Sequence, residues 1–118
     1  MRLDFIVEGK NCLKANVKNT FLDYFSFEDK DGNEYCIDLL LGEVDFDFQK
    51  EKIIGSFKGD YEITYPKINL STEELIDKIM NMNKSSFELG LFIEPEEDNN
   101  YSSVKARIQI DDKILEIE

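Results

Sequence analysis

The chain has 118 residues, with 26 Asp and Glu against 14 Lys and Arg, no histidine and a formal net charge of −12. Its length is close to the commonest domain size, so we expect one β-rich domain over residues 1–118. Hydrophobic residues make up 42% and aromatic residues 12% of the chain, which excludes a disordered acidic chain because such chains are poor in aromatic residues.

Membrane attachment and secretion are not indicated by the sequence. No apolar run approaches the roughly 20 residues that cross a bilayer. The first strand-like segment carries Asp4 and Glu8, whereas a signal peptide needs an uninterrupted apolar stretch there. We therefore expect a cytoplasmic protein without membrane contact.

The N-terminal part of the chain is predicted to form strands. Leu3, Phe5 and Val7 alternate with polar residues and share one face of a first strand, because side chains in a strand alternate with a period of two. A turn over residues 9–11 separates it from a second predicted strand over about residues 12–17.

A β-hairpin follows, with Asp31-Gly32 as a strong turn signal between two apolar alternations. The residues expected on its buried face are Phe21, Phe25 and Phe27 in the first strand, and Tyr35, Ile37, Leu39 and Leu41 in the second. Gly42 is expected to end the second strand, and a further strand is expected over residues 43–48. Residues 53–57 and 61–65 are predicted to pair around a turn at residues 58–60.

One helix is predicted over about residues 72–83. Ser71 and Glu74 have the spacing of a capping box, in which each side chain accepts a hydrogen bond from the backbone of the other residue. Leu75, Ile76, Ile79 and Met80 form an apolar stripe at helical spacing. A helix of about 12 residues is marginal alone in water, so this stripe is expected to pack on the sheet.

Strands are predicted again at residues 87–93, 104–110 and 113–117. The period-two alternation gives most strands one wet face, which favours antiparallel pairing. The sequence therefore predicts an α+β, mainly β fold: an antiparallel β-sandwich or partly open barrel of about 8–9 strands, with the single helix packed on it.

No catalytic constellation is recognisable. The chain has no histidine, so the usual general base is missing, and its glycines do not form a phosphate-binding loop. We expect no enzymatic activity, no catalytic residue and no cofactor.

Metal binding is not predicted either. Residues 29–34 superficially resemble a calcium loop, but the sixth and twelfth positions hold Glu34 and Leu40 where an EF-hand needs Gly and an acid. Cys12 and Cys36 are 24 residues apart without a metal-binding spacing and are expected to be free thiols.

Direct nucleic-acid binding is disfavoured, because it requires clustered Lys and Arg. The one local basic strip is Lys105 and Arg107 with Gln109. We expect this strip to form cross-strand ion pairs with acids such as Glu116.

Alternating carboxylates are the distinctive feature of the sequence. Glu43, Asp45 and Asp47 would stand in a row, because residues i and i+2 of a strand lie about 6.6 Å apart. Such a row either is the solvent face of an edge strand, where charge discourages aggregation, or binds a basic surface. The acids predicted to bind a partner are Glu43, Asp45 and Asp47 together with Glu28, Asp29, Asp31 and Glu34.

These features favour a small acidic non-catalytic binding protein that neutralises a basic protein by occlusion, of the immunity-protein or phage-inhibitor type. Its partner would be a nuclease-type toxin or a nucleic-acid enzyme. Two alternatives stay open: a structural or assembly subunit that forms an oligomer, and a small-ligand-binding β-barrel. In the barrel, tyrosine hydroxyls would point inside, from Tyr24, Tyr35, Tyr61 or Tyr65.

Overall fold

The computed structural model describes residues 1–9, 12, 20–93 and 103–118. Its elements in chain order are β1 (Arg2–Glu8), β2 (Thr20–Asp29), β3 (Glu34–Phe48), β4 (Lys52–Tyr65), α1 (Thr72–Met80), β5 (Met82–Ile93), β6 (Ser103–Ile110) and β7 (Lys113–Ile117). The predicted strand over about residues 12–17 lies, apart from Cys12, outside the described residues.

The seven strands of the described segments form one sheet in the order β5-β2-β3-β4-β1-β6-β7. Every neighbouring pair is antiparallel, and the sheet curves into a nearly closed, barrel-like shape. The prediction of a mainly β, antiparallel, partly open barrel or sandwich with one helix is confirmed.

The inner face of the sheet holds the core. Large side chains from different strands are fully enclosed there, because alternate positions of each strand point inward. The largest are Phe25, Phe27, Phe57, Leu3, Ile37, Ile53 and Ile108. Aromatic contacts link neighbouring strands, and the Phe27 and Tyr35 rings stack with centroids 5.3 Å apart.

Two long strands, β3 and β4, run through both halves of the sheet. Their register shifts between Leu39 and Gly42, and Gly42 then pairs with Gly59. A Cβ atom at Gly42 would lie 2.5 Å from the Lys58 carbonyl oxygen, so only glycine permits this close backbone approach. The strands that were expected to stop near these glycines therefore continue, as single strands, past a glycine corner formed by Gly42 and Gly59.

Two predicted core residues are instead exposed. Phe21 is 56% exposed and Leu41 is 88% exposed, so the expectation that they share the buried face is wrong for both. Register shifts separate each from the rest of its strand: one between Leu22 and Tyr24, and the other between Leu39 and Gly42. A β-bulge adds one residue to a strand and inverts the face of every residue beyond it.

The helix begins as predicted and ends earlier. Ser71 Oγ accepts a hydrogen bond from the Glu74 N–H at 3.1 Å, and Glu74 Oε1 accepts one from the Ser71 N–H at 3.3 Å. This capping box is confirmed. The helix ends at Met80, because β5 already begins at Met82, and its buried residues are Leu75 and Ile79.

Candidate functional site

The outer face of β3, β4, β1, β6 and β7 carries three rows of side chains in direct cross-strand register. The first row joins Glu43, Lys58, Arg2, Gln109 and Ile114. The second row joins Asp45, Ser56, Asp4, Arg107 and Glu116. The third row joins Asp47, Ile54, Ile6 and Lys105.

A groove of about 550 Å³ follows the second and third rows. Its volume falls within the range of about 300–1,000 Å³ that is usual for ligand pockets. Ile6 and Ile54 are half-buried and pair directly with each other across β1 and β4. They form the apolar floor of the groove, on a sheet face whose other residues in these rows are polar apart from Ile114.

Charged residues stand on both sides of this floor. Five carboxylates and two cations line the groove, which is an excess of three negative charges. On one side, β3 contributes Asp45 and Asp47; on the other, β6 contributes the cations Lys105 and Arg107. The remaining carboxylates are Asp4, Glu116 and Glu118.

Two of the groove carboxylates already have cationic partners. Asp4 accepts hydrogen bonds from Arg2 Nε at 3.1 and 3.2 Å, and Arg107 Nε lies 3.9 Å from Glu116 Oε1. The expected cross-strand pairing of Arg107 with Glu116 is confirmed. Exposed ion pairs of this kind contribute little to stability, about 0–1 kcal/mol.

The acidic row of β3 consists of Glu43, Asp45 and Asp47, of which Asp45 and Asp47 form the least neutralised side of the groove and Glu43 lies outside its lining. All three residues are exposed, and the structure keeps them on one face of β3 as the alternation predicts. Glu43 lies opposite Lys58, whereas Asp45 lies opposite Ser56 and Asp47 opposite Ile54. Asp45 and Asp47 therefore have no cationic neighbour directly across β4.

The other predicted site residues lie at the tip of the β2–β3 hairpin. Glu28 and Glu34 face each other there, and Asp31 is exposed in the turn. Glu34 and Asp45 are 11 positions apart on β3, which corresponds to as much as about 36 Å of strand. The predicted acids thus form two separate groups, and we place the candidate site at the groove.

Asp29 has a structural role within the hairpin turn. Its Oδ1 accepts hydrogen bonds from the Asp31 and Asn33 backbone N–H groups, each at 2.9 Å, and its Oδ2 accepts one from Asn33 Nδ2 at 3.1 Å. The Asn33 side-chain bond, followed by the backbone bonds, lowers the pKa of the Asp29 carboxyl below its ordinary value of 3.8. Both of its oxygens therefore accept hydrogen bonds within the turn, and we do not place Asp29 in the partner-binding site.

Replacing Asp29 by alanine is expected to lower the free energy of unfolding at neutral pH, because the turn loses its acceptors. A carboxyl group whose pKa is lowered by folding stabilises the fold at pH values above its ordinary pKa of 3.8. That contribution is lost as the pH falls through the lower pKa of the folded state. The difference between wild type and Asp29→Ala should therefore shrink in acid. Urea unfolding from about pH 7 to about pH 2 measures this difference.

Asp31→Ala is the matched control for this experiment. Asp31 contributes only its backbone N–H to the Asp29 carboxylate, and its own side chain is exposed. The Asp31→Ala variant should have the same pH dependence of the free energy of unfolding as the wild type. A constant difference between Asp29→Ala and wild type across the whole range would show that the carboxylate charge does not stabilise the turn.

Sequence reasoning missed the floor of the groove, and it identified the basic strip of Lys105 and Arg107 without placing it opposite Asp45 and Asp47. One signal was available: Ile6 shares a strand face with Asp4, and Ile54 shares one with Ser56. Isoleucine at both positions adds apolar surface to polar strand faces. The pairing of Ile6 with Ile54 depends on the β1–β4 register, which the sequence does not specify.

The tyrosines of the small-ligand alternative do not gather in one place. Tyr35 is buried and stacked on Phe27, Tyr65 is 57% exposed, and Tyr24 and Tyr61 are half-buried. The assembly alternative stays a prediction. Its most suggestive feature is the exposed stack of Phe21 on Phe92, whose ring centroids are 5.0 Å apart.

The two cysteines are free, as expected. Burial raises the pKa of the Cys12 thiol, which disfavours the reactive thiolate at neutral pH. Within the described part of the chain, no group of three or more His, Cys, Asp or Glu residues is arranged to hold a metal ion.

Comparison with protein-family models, curated proteins and solved structures finds no match to this chain. The fold and the site together define a mainly β protein with an acidic, isoleucine-floored groove on its outer sheet face. Over residues 1–9, 12, 20–93 and 103–118, no helix has the length and apolar character needed to cross a bilayer.

Proposed function

We propose that this protein is a small non-catalytic binding protein that neutralises a basic protein partner by covering the partner's cationic site. The observation that supports this most is the groove, where five carboxylates and two cations surround an apolar floor. A protein of net charge −12 attracts basic proteins over long distances. The acidic groove provides the surface at which such a protein binds.

The class of partner follows from charge complementarity. Proteins that act on nucleic acids carry Lys and Arg clusters that neutralise phosphates. A row of exposed carboxylates on a strand, such as Asp45 and Asp47, can occupy such a cluster in place of the phosphates. We therefore propose a nuclease-type toxin or another nucleic-acid enzyme as the partner, bound in the manner of an immunity protein or a phage inhibitor.

Occlusion requires no chemistry from the groove itself. The chain contains no histidine, and the groove presents carboxylates, two cations and isoleucine side chains. Complementary charge of this kind accelerates association and selects the partner more than it raises affinity. The same carboxylates repel phosphate and anionic lipid, so we propose that the protein binds neither nucleic acid nor membrane directly.

The test is to capture the basic partner from cells that produce the protein and then to measure association rates with the purified pair. Asp45→Lys/Asp47→Lys should slow association at least about tenfold at low ionic strength, because it reverses the least neutralised side of the groove. Added salt should slow the wild type strongly and this variant only weakly.

Asp60→Lys/Glu62→Lys is the matched control. These residues are also exposed acids at positions i and i+2 of a strand, and they lie beyond the glycine corner on β4. The control changes the net charge equally and should slow association much less. Equal slowing by both variants would assign the effect to net charge alone and contradict the groove as the binding site.

A further inference from the structure

We infer that the groove binds one lysine or arginine side chain of the partner, with its aliphatic stem on Ile6 and Ile54 and its charged group at Asp45 and Asp47. This inference rests on the proposed function and identifies the group that the groove recognises. It also assigns a binding role to the two isoleucines.

The floor fits a hydrocarbon stem better than it fits water. Ile6 and Ile54 are half-buried and directly paired across two strands, and they form an apolar surface bordered by charge. Lysine and arginine cover apolar surface with their methylene groups while their charged ends stay in a polar environment. A small cation without a stem would leave this floor uncovered.

The in-register third row sets the direction of the bound side chain. Asp47 lies opposite Ile54, Ile54 opposite Ile6, and Ile6 opposite Lys105. Neighbouring strands are about 4.8 Å apart, so a four-carbon stem is long enough to cross from above Ile54 to the carboxylate of Asp47. Lys105 repels a cation at the opposite end of the row.

The second row reinforces this direction. Asp45 stands beside Asp47 on β3, while Arg107 stands beside Lys105 on β6. Arg107 is paired with Glu116, and Glu118 lines the same side, whereas Asp45 and Asp47 have no cation opposite them across β4. The uncompensated negative charge therefore lies on the β3 side, with the isoleucines between the two sides. The charged end of the incoming side chain is drawn to β3, and the partner's backbone carbonyls or acidic residues face Lys105 and Arg107.

Asp47 retains acceptor capacity for this role. Its Oδ2 accepts one hydrogen bond, from Gln49 Nε2 at 2.9 Å, and an ionised carboxylate has about four acceptor positions. Asp45 and Asp47 can together surround an ammonium group or accept from a guanidinium. A second copy of this chain is a poor occupant by comparison, because two molecules of charge −12 repel each other.

The experiment titrates the isotopically labelled protein with short peptides and follows its amide resonances. One peptide carries a single lysine between glycine and serine residues. The second replaces lysine by norleucine, which keeps the stem length and removes the charge. The third uses 2,4-diaminobutyric acid, which keeps the charge and removes two methylene groups.

We expect the lysine peptide to shift the amides of residues 4–6, 45–47 and 54–56. The norleucine peptide should bind about fivefold more weakly, because one exposed charge interaction is lost. The short-stem peptide should bind about fourfold more weakly. This ratio corresponds to half of the free energy gained by fully burying two methylene groups. Equal binding of the lysine and short-stem peptides would overturn the inference, as would shifts spread equally over the hairpin acids.

Variants of the protein give a second readout. Ile6→Thr/Ile54→Thr keeps β-branched residues in both strands and should weaken the lysine peptide about fourfold without changing the affinity for ammonium ion. Ile114→Thr, on the same sheet face and 39% exposed, is outside the groove lining and should have no effect. A dimer that the lysine peptide does not dissociate would place a second copy in the groove and overturn the inference.

The two proposals fail in different ways. If Asp45→Lys/Asp47→Lys slows association with the captured partner while Ile6→Thr/Ile54→Thr leaves it unchanged, the proposed function stands and the anchor side chain is wrong. If the lysine peptide binds the groove selectively but charge reversal leaves partner association unchanged, the groove binds a cationic side chain and the proposed occlusion is wrong.

Discussion

Replacing Gly55 by alanine is expected to lower the free energy of unfolding by about 1–3 kcal/mol, the usual cost of overfilling a packed core. A Cβ atom at Gly55 would overlap the ring of Phe5 on the neighbouring strand. That ring cannot easily move aside, because Phe5 is 2% exposed and packs edge-to-face on Phe46 with centroids 6.2 Å apart.

A double-mutant cycle with Phe5→Leu separates this clash from other effects of the new methyl group. Leucine removes the ring, so Gly55→Ala should cost clearly less in the Phe5→Leu background than in the wild type, with a coupling energy of about 0.5–3 kcal/mol. Urea or guanidinium unfolding of the four proteins gives all the values required. The same cost in both backgrounds would show that the ring of Phe5 is not what excludes a side chain at Gly55.

Replacing Leu75 by alanine is expected to lower the free energy of unfolding by about 2–5 kcal/mol, as for other fully buried leucines. Leu75 is 0% exposed and anchors α1 on the core. The helix has nine residues and would be marginal without that packing. Chemical unfolding followed by circular dichroism measures the loss.

Met80→Ala is the control within the same helix. Met80 is 43% exposed, so its truncation removes little buried surface and should cost much less than Leu75→Ala. Comparable losses from the two substitutions would contradict the docking of α1 through its Leu75–Ile79 face.

Local patterns in the sequence were sufficient for much of the fold. The alternation of Leu3, Phe5 and Val7 places all three in the core, and the Ser71–Glu74 capping box marks the helix start. Both signals involve residues close together in the chain, where spacing alone decides which side chains share a face. The pairing of Arg107 with Glu116 was accessible for the same reason, since β6 and β7 are joined by a tight turn.

Irregular strand positions were not accessible in this way. Phe21 and Leu41 continue an apolar alternation in the sequence, yet Phe21 lies beyond a register shift, Leu41 lies within one, and both are exposed. An extra residue in a strand does not change the alternation of apolar residues that precede it, so the alternation does not reveal the bulge. The position of a bulge depends on the partner strand, which sequence periodicity does not identify.

The candidate site likewise has one part that local sequence patterns predict and one part that they do not. Asp45 and Asp47 could be predicted as a surface row, because they alternate within one strand. Their relation to Ile6, Lys105 and Arg107 depends on a register that passes through four strands. Long-range pairing brings these residues together, and so the groove became visible only in the folded structure.

The glycine corner has a mechanical consequence. Because β3 and β4 continue past Gly42 and Gly59 as single strands, with a register shift between Leu39 and Gly42, one hairpin carries both the rim of the groove and the aromatic core behind the β2–β3 turn. A force applied at the groove by a bound partner is therefore transmitted along continuous strands to the far end of the protein.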